Sequence, residues 1–169
     1  MWRNLIVLLL ALLSLPTFSN EAIKLTKTQL APEIDGILDD IVWQKAEKFT
    51  GFKSFIPDFG KEMPQKTESW ISYDEENLYF AFRCYDDEPD KIIATIRNRD
   101  DIGKEDWVCV NLDSHNDQQA ISAFYVNPFG IQADARFAAG QEDESADFVW
   151  YSAGQIDEQG YTIEIRIPL

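Results

Sequence analysis

Thr67-Glu68-Ser69-Trp70-Ile71-Ser72-Tyr73, a polar turn Asp74-Glu75-Glu76-Asn77, then Leu78-Tyr79-Phe80-Ala81-Phe82-Arg83-Cys84-Tyr85: this stretch decides the fold class. The first run alternates side-chain character with period two, the signature of a strand. The second is apolar on both sides, as a central strand covered on both faces must be. A short acidic turn between them makes a hairpin. Alternation continues outward in both directions. Ile23–Thr26 reads as a first strand and Trp107–Leu112 as another. Ala120–Val126 and Ile131–Phe137 flank Asn127-Pro128-Phe129-Gly130, where Asn-Pro opens a turn and Gly130 can take positive φ. Phe148–Gly154 and Tyr161–Ile167 flank Gln155–Gly160, a third hairpin. In the last strand Tyr161, Ile163, Ile165 and Ile167 are expected to face in, and Thr162, Glu164 and Arg166 to face out. Roughly eight short strands joined by hairpins predict an all-β antiparallel sandwich, jelly-roll-like. One short helix is expected after a cap at Asp39 or Asp40, carrying Ile41, Val42, Trp43 and Ala46. A second helical turn is expected at Pro89–Ala94. Gln141–Asp147 reads as a mobile acidic loop.

Composition narrows the function. The 169 residues carry 15 Lys+Arg against 30 Asp+Glu, a net charge of −15. That excludes nucleic acid and anionic membrane surfaces, whose phosphates must be met by cations. It leaves neutral ligands and cations such as Ca²⁺. With 45% hydrophobic residues, including five Trp, six Tyr and eleven Phe, the chain can fill a core. Residues 1–19 read as a signal peptide: a short start containing Arg3, an apolar run from Leu5 to Leu15, then Thr17 and Ser19 at the cleavage-reading positions. Residues 20–169 then form one exported domain. Pro168-Leu169 follows a strong strand directly, so the domain is expected to continue past Leu169. Cys84 and Cys109 both fall mid-strand. They read as two buried thiols, because a bridge there would have to meet tight Cα spacing.

Three kinds of chemistry are open. His115, in the turn Asp113–Asp117, has no nucleophile beside it to make a triad. The carboxylates could hydrolyse a glycosidic bond if two of them flanked the sugar. They could bind Ca²⁺ if several converged, and Asp106, Asp113 and Asp134 are the candidates. They could equally be solvated charge. The aromatics suggest sugar binding. Trp150, Trp107 and Trp70 lie at strand ends or on partly polar strand sides, and indole planes stack on the C–H faces of sugar rings. Arg97-Asn98-Arg99-Asp100-Asp101 would supply paired donors and acceptors for hydroxyls. Each Trp taken singly could instead be core.

A longer pattern runs through these residues. Ile34-Asp35-Gly36-Ile37-Leu38-Asp39, with Trp43 and Ala46, resembles the "IDG-x-LD-x-x-x-W-x-x-A" opening of family 9 carbohydrate-binding modules. The likeness continues through Tyr73-Asp74, Leu78-Tyr79, Asp86–Pro89, Arg99-Asp100-Asp101, Asp106-Trp107, Leu112-Asp113, Asn127-Pro128-x-Gly130, Asp134, Trp150 and Gly160–Pro168. It covers nearly all of residues 32–169. More narrowly the pattern is similar to a bacterial group in which this domain precedes an outer-membrane β-barrel region. The resemblance implies a β-sandwich that binds an oligo- or polysaccharide between two Trp rings, carries Ca²⁺ and does no catalysis itself, although such modules are attached to glycoside hydrolases. It places Trp150 as one ring, with Trp70 or Trp107 as the other. It also implies a role in polysaccharide binding or catabolism in the periplasm, at the outer membrane or on the cell surface. The rival expectation is an interaction domain for a membrane barrel, without sugar binding. Gly36 is expected in a positive-φ turn, and Trp43 is expected to pack the helix on the sandwich.

Overall fold

A computed structural model describes residues 23–169, so the expected signal peptide lies outside the described residues. Two sheets face each other. The first contains β1 (Thr26–Lys27), β2 (Glu47–Phe49), β3 (Thr67–Tyr73), β4 (Asn77–Tyr85), β9 (Tyr151–Asp157) and β10 (Gly160–Pro168), in the order β1-β3-β4-β10-β9 with β2 also on β3. The second contains β5 (Val108–Leu112), β6 (Ala120–Val126), β7 (Gln132–Ala138) and β8 (Gln141–Asp143), in that order. All pairs are antiparallel except β1–β3. The three expected hairpins are present as β3–β4, β6–β7 and β9–β10.

Period-two patterning builds the core. Phe80, Phe82 and Cys84 of β4 and Ile163, Ile165 and Ile167 of β10 meet Val108, Val110, Phe124 and Val126 across the sandwich, with Trp150 among them. The other side of β4 is also buried. Tyr79 and Ala81 lie under Val42 and Trp43 of α1 (Ile41–Lys45), which explains a strand apolar on both sides. Asp40 precedes the helix, but its carboxylate accepts the Glu33 amide instead of capping. The second helical turn is a 3-10 turn at Pro89–Lys91.

Several expectations are corrected. Gln141–Asp143 is not a free loop. It pairs with the end of β7, where Asp143 faces Arg136, an attractive cross-strand pair. All three of its residues are exposed, so no apolar alternation marks it. The edge strand β2 is likewise mostly polar. The first strand is only Thr26–Lys27. Cys84 faces the core while Cys109 is half-buried on the outer side opposite Tyr125, and both are free thiols. Glu164 does point away from the sandwich core, yet it is fully buried beneath Asp35, Gly36 and Trp43.

Two turns close on one point of β9. Gly36 and Gly130 have φ of +85° and +79°, as the sequence predicted. A Cβ on either would stand about 3 Å from the Gly154 backbone. Thr162 Oγ1 donates to the Gly36 carbonyl at 2.6 Å and Gln155 Nε2 to that of Asp35 at 3.1 Å, which pins the first turn on the sheet.

Candidate functional groove

Residues 93–106 form a loop closed at its neck. The Asp106 amide donates to the Ile93 carbonyl at 2.8 Å, and the Ile93 amide donates to Asp106 Oδ2 at 2.7 Å. Inside it, Glu105 is the hub. It accepts from Thr95 Oγ1 and from Asn127 Nδ2 and pairs with Arg97 at 3.0 Å. Burial alone would raise Glu105, but these partners outweigh it and hold the carboxyl below its ordinary value. Asn127 is itself fully buried, and its Oδ1 accepts the Phe129 and Ile131 amides. One side chain thus shapes the β6–β7 turn and ties it to the loop.

The loop then runs along the first half of β7, which β8 leaves unpaired. The Asp100 amide donates to the Gln132 carbonyl, and Asp100 Oδ1 accepts the Asp134 amide. Asp100 takes φ +69°, a value Asp tolerates better than most residues. Arg99 turns inward. Its Nη2 donates to Asp134 Oδ2 at 2.5 Å and to the Phe148 carbonyl at 2.7 Å, and Nη1 donates to Gln132 Oε1. Asp134 Oδ2 also accepts Trp150 Nε1 at 3.1 Å and the Phe148 amide at 2.8 Å.

These contacts reassign several predicted ligand residues. Trp150 is 4% exposed and packed in the core in a T-shaped pair with Phe124, so its ring is enclosed and not open to a ligand. Arg99 and Asp134 form the bolt that holds Trp150 in place. Trp70 lies on the outer side of the six-stranded sheet beside the Trp43 cluster, with the Lys48 ammonium 5.0 Å from its ring. Trp107 lies on the outer side of the four-stranded sheet, so Trp70 and Trp107 cannot form one slot. Asn98 is exposed outside the groove described below.

Arg97, Asp100, Asp101 and Trp107 do come together. They line an open groove of about 510 Å³ on the outer side of the four-stranded sheet. Trp107 is 45% exposed and makes a T-shaped pair with Tyr125, centroids 5.1 Å apart at 88°. Ala133 and Ala135 leave the floor shallow, and Glu142 and Glu144 form the far wall. Sequence reasoning missed the floor and that wall. Alternation set Tyr125 opposite the core-facing Phe124, which could have flagged it. The acidic run Gln141–Asp147 contains both glutamates, but nothing local places it at the site, because only pairing with β7 makes Gln141–Asp143 a strand.

The proposed metal ligands do not converge. Asp106 closes the loop neck, Asp113 accepts the Asp117 and Gln118 amides in its own turn, and Asp134 is held by Arg99. Among the described residues no three His, Cys, Asp or Glu side chains are arranged to hold a metal ion. These residues therefore do not fit a Ca²⁺ site.

Residues 34–169 match the family model "carbohydrate family 9 binding domain-like". The chain belongs to this family. Solved structures share the fold. A family 9 carbohydrate-binding module from Caldicellulosiruptor kristjanssonii in complex with glucose superposes with a TM-score of 0.63 at 18% identity, covering 87% of this chain and 68% of that one. The cellotriose complex from the same organism gives 0.60 at 19% identity, covering 85% and 66%. A structure from Bacteroides uniformis gives 0.66 at 9% identity, covering 86% and 71%. No curated protein sequence matches the chain significantly. The family 9-like domain therefore has the sandwich expected of it, with a groove built from the 93–106 loop.

Proposed function

We propose that this domain binds an oligosaccharide, without catalysing its hydrolysis, in the groove beside Trp107. The observation that carries the reading is an indole, 45% exposed and packed against Tyr125, at the side of an open groove with Arg97, Asp100 and Asp101 within it. An indole plane covers the C–H face of a sugar ring while carboxylates and guanidinium bond its hydroxyls. The family, and relatives solved with glucose and cellotriose, support the ligand class. Export through residues 1–19 would set this binding in the periplasm, at the outer membrane or on the cell surface, serving polysaccharide capture or catabolism. Calorimetric titration with cello- and xylo-oligosaccharides tests it. Binding heats are expected for the native domain, and Trp107→Ala should weaken binding by at least about tenfold, roughly 1.4 kcal/mol. Flat titrations at high sugar would overturn the reading.

A second reading, docking to an outer-membrane barrel, draws support from one feature. The finger around Phe55, Ile56 and Phe59 exposes all three side chains by more than 70%. Its charges pair among themselves, Lys53 with Glu62 and Lys61 with Asp58. Phe55→Ser with Phe59→Ser should release the domain from outer-membrane fractions while leaving sugar binding intact. Retention of the double variant in those fractions would end this reading.

A further inference from the structure

Resting on the sugar-binding reading, we propose that the groove selects a cationic saccharide, one carrying protonated amino sugars, over neutral and acidic chains. Asp100, Asp101, Glu142 and Glu144 stand exposed along the groove, with Arg97 and Lys104 as its cations, while Glu105 and Asp134 are enclosed and already paired with Arg97 and Arg99. A concave surface focuses the field of those carboxylates that no cation meets. Arg97 is already neutralised by Asp101 at 3.2 Å and Glu105 at 3.0 Å. Among the described residues Glu142 and Glu144 have no ion-pair partner. Asp100 has only Arg99 Nε at 4.0 Å. The field reaches the floor. The Tyr125 hydroxyl is pushed up to about 12 by burial, by Cys109 and by the charges of Glu142 and Glu144.

The form of the site decides between cations. The carboxylates are spread along the groove and do not converge, so they suit ammonium groups distributed on a chain better than a single divalent ion. Trp107 adds a π face, which attracts a cation as well as an apolar ring face. A uronic acid or sulfated sugar would bring like charge into this field.

Titration of glucosamine, cellulose and galacturonate oligomers of equal length, in mildly acidic low-salt buffer, tests the proposal. The glucosamine oligomer should bind about tenfold more tightly than the cello-oligomer, and the galacturonate oligomer should not bind. The preference should fade at high salt, where the Debye length shrinks to about 3 Å. Glu142→Gln with Glu144→Gln, shown by circular dichroism to keep the fold, should weaken glucosamine-oligomer binding several-fold more than cello-oligomer binding. Equal binding of the glucosamine and cello-oligomers would overturn the selectivity and leave the sugar reading standing. Absence of binding by every sugar would overturn both. Equally tight binding of oligolysine would show that charge alone is recognised, which would also overturn a saccharide-selective groove.

Discussion

Trp43 Nε1 donates to Glu164 Oε1 at 2.7 Å, joining the short helix to the middle of β10 across 121 positions of sequence. The second oxygen, Oε2, accepts the amides of Gly36 at 2.8 Å and Asp35 at 3.1 Å. The family's opening motif thus closes on one buried carboxylate. The glycine frees the turn, the tryptophan covers it, and Glu164 receives their donors.

Burial pushes Glu164 from 4.5 up to about 7, against the hydrogen bonds from Trp43, Gly36 and Asp35, which favour the charged form. The folded state therefore holds this proton more tightly than the unfolded chain. Its contribution to stability is complete below about pH 4.5 and is lost as pH rises through about 7. The swing is on the order of 3 kcal/mol at most. Denaturant melts across this window should show native stability falling with pH more steeply than that of Glu164→Gln. Parallel curves would show that Glu164 does not titrate there.

Trp43→Phe keeps most of the volume but removes the donor to a buried carboxylate, an expected loss of about 1.5–3 kcal/mol. Trp43→Ala also empties the site and should cost about 3–5 kcal/mol. Thermal melts that rank the two variants equally would mean that the hydrogen bond carries all of the effect.

Trp150 and Trp107 should separate stability from binding. Trp150→Ala is expected to cost about 3–5 kcal/mol, because it empties the core and removes a donor to Asp134. Arg99→Ala leaves Asp134 buried without its cation and should cost about 3 kcal/mol. Trp107→Ala, at an exposed position, should change stability by less than about 1 kcal/mol while binding is lost. Urea titrations of all three give the comparison. A stable Trp150→Ala domain that no longer binds sugar would return Trp150 to the site.

Gly154→Ala is expected to be severe. Its Cβ would stand 2.6 Å from the Pro128 carbonyl oxygen and 2.7 Å from Ile163 Cδ1. The oxygen belongs to backbone fixed by the buried Asn127 turn and cannot yield as a side-chain tip can. A loss of about 3 kcal/mol, the upper end for overpacking, should appear as a lowered melting temperature. An unchanged melting temperature would mean that the β6–β7 turn is free to shift.

The amino-acid sequence by itself determined the strands, because period two is a local property: the alternating runs of β3, β6 and β10 lie where the pattern puts them. It also determined the turns, since Gly36 and Gly130 take the positive φ their contexts demand. It brought forward the Arg97–Asp101 loop with Trp150, Trp107 and Trp70, without separating those that share the groove from those that do not. Only the tertiary structure decided which faces are covered. Period two says that Glu164, Thr162 and Arg166 share a side of β10, but not that residues 35–43 fold over that side and bury Glu164. Nothing local distinguishes Trp150, enclosed by Phe124 and bound to Asp134, from Trp107, open beside Tyr125. The polar edge strand β8 lacks any apolar alternation, and pairing with β7 alone makes it a strand. Burial is a relation between segments distant in sequence, whereas periodicity is a relation between neighbours, and a ligand meets only what those distant segments leave uncovered.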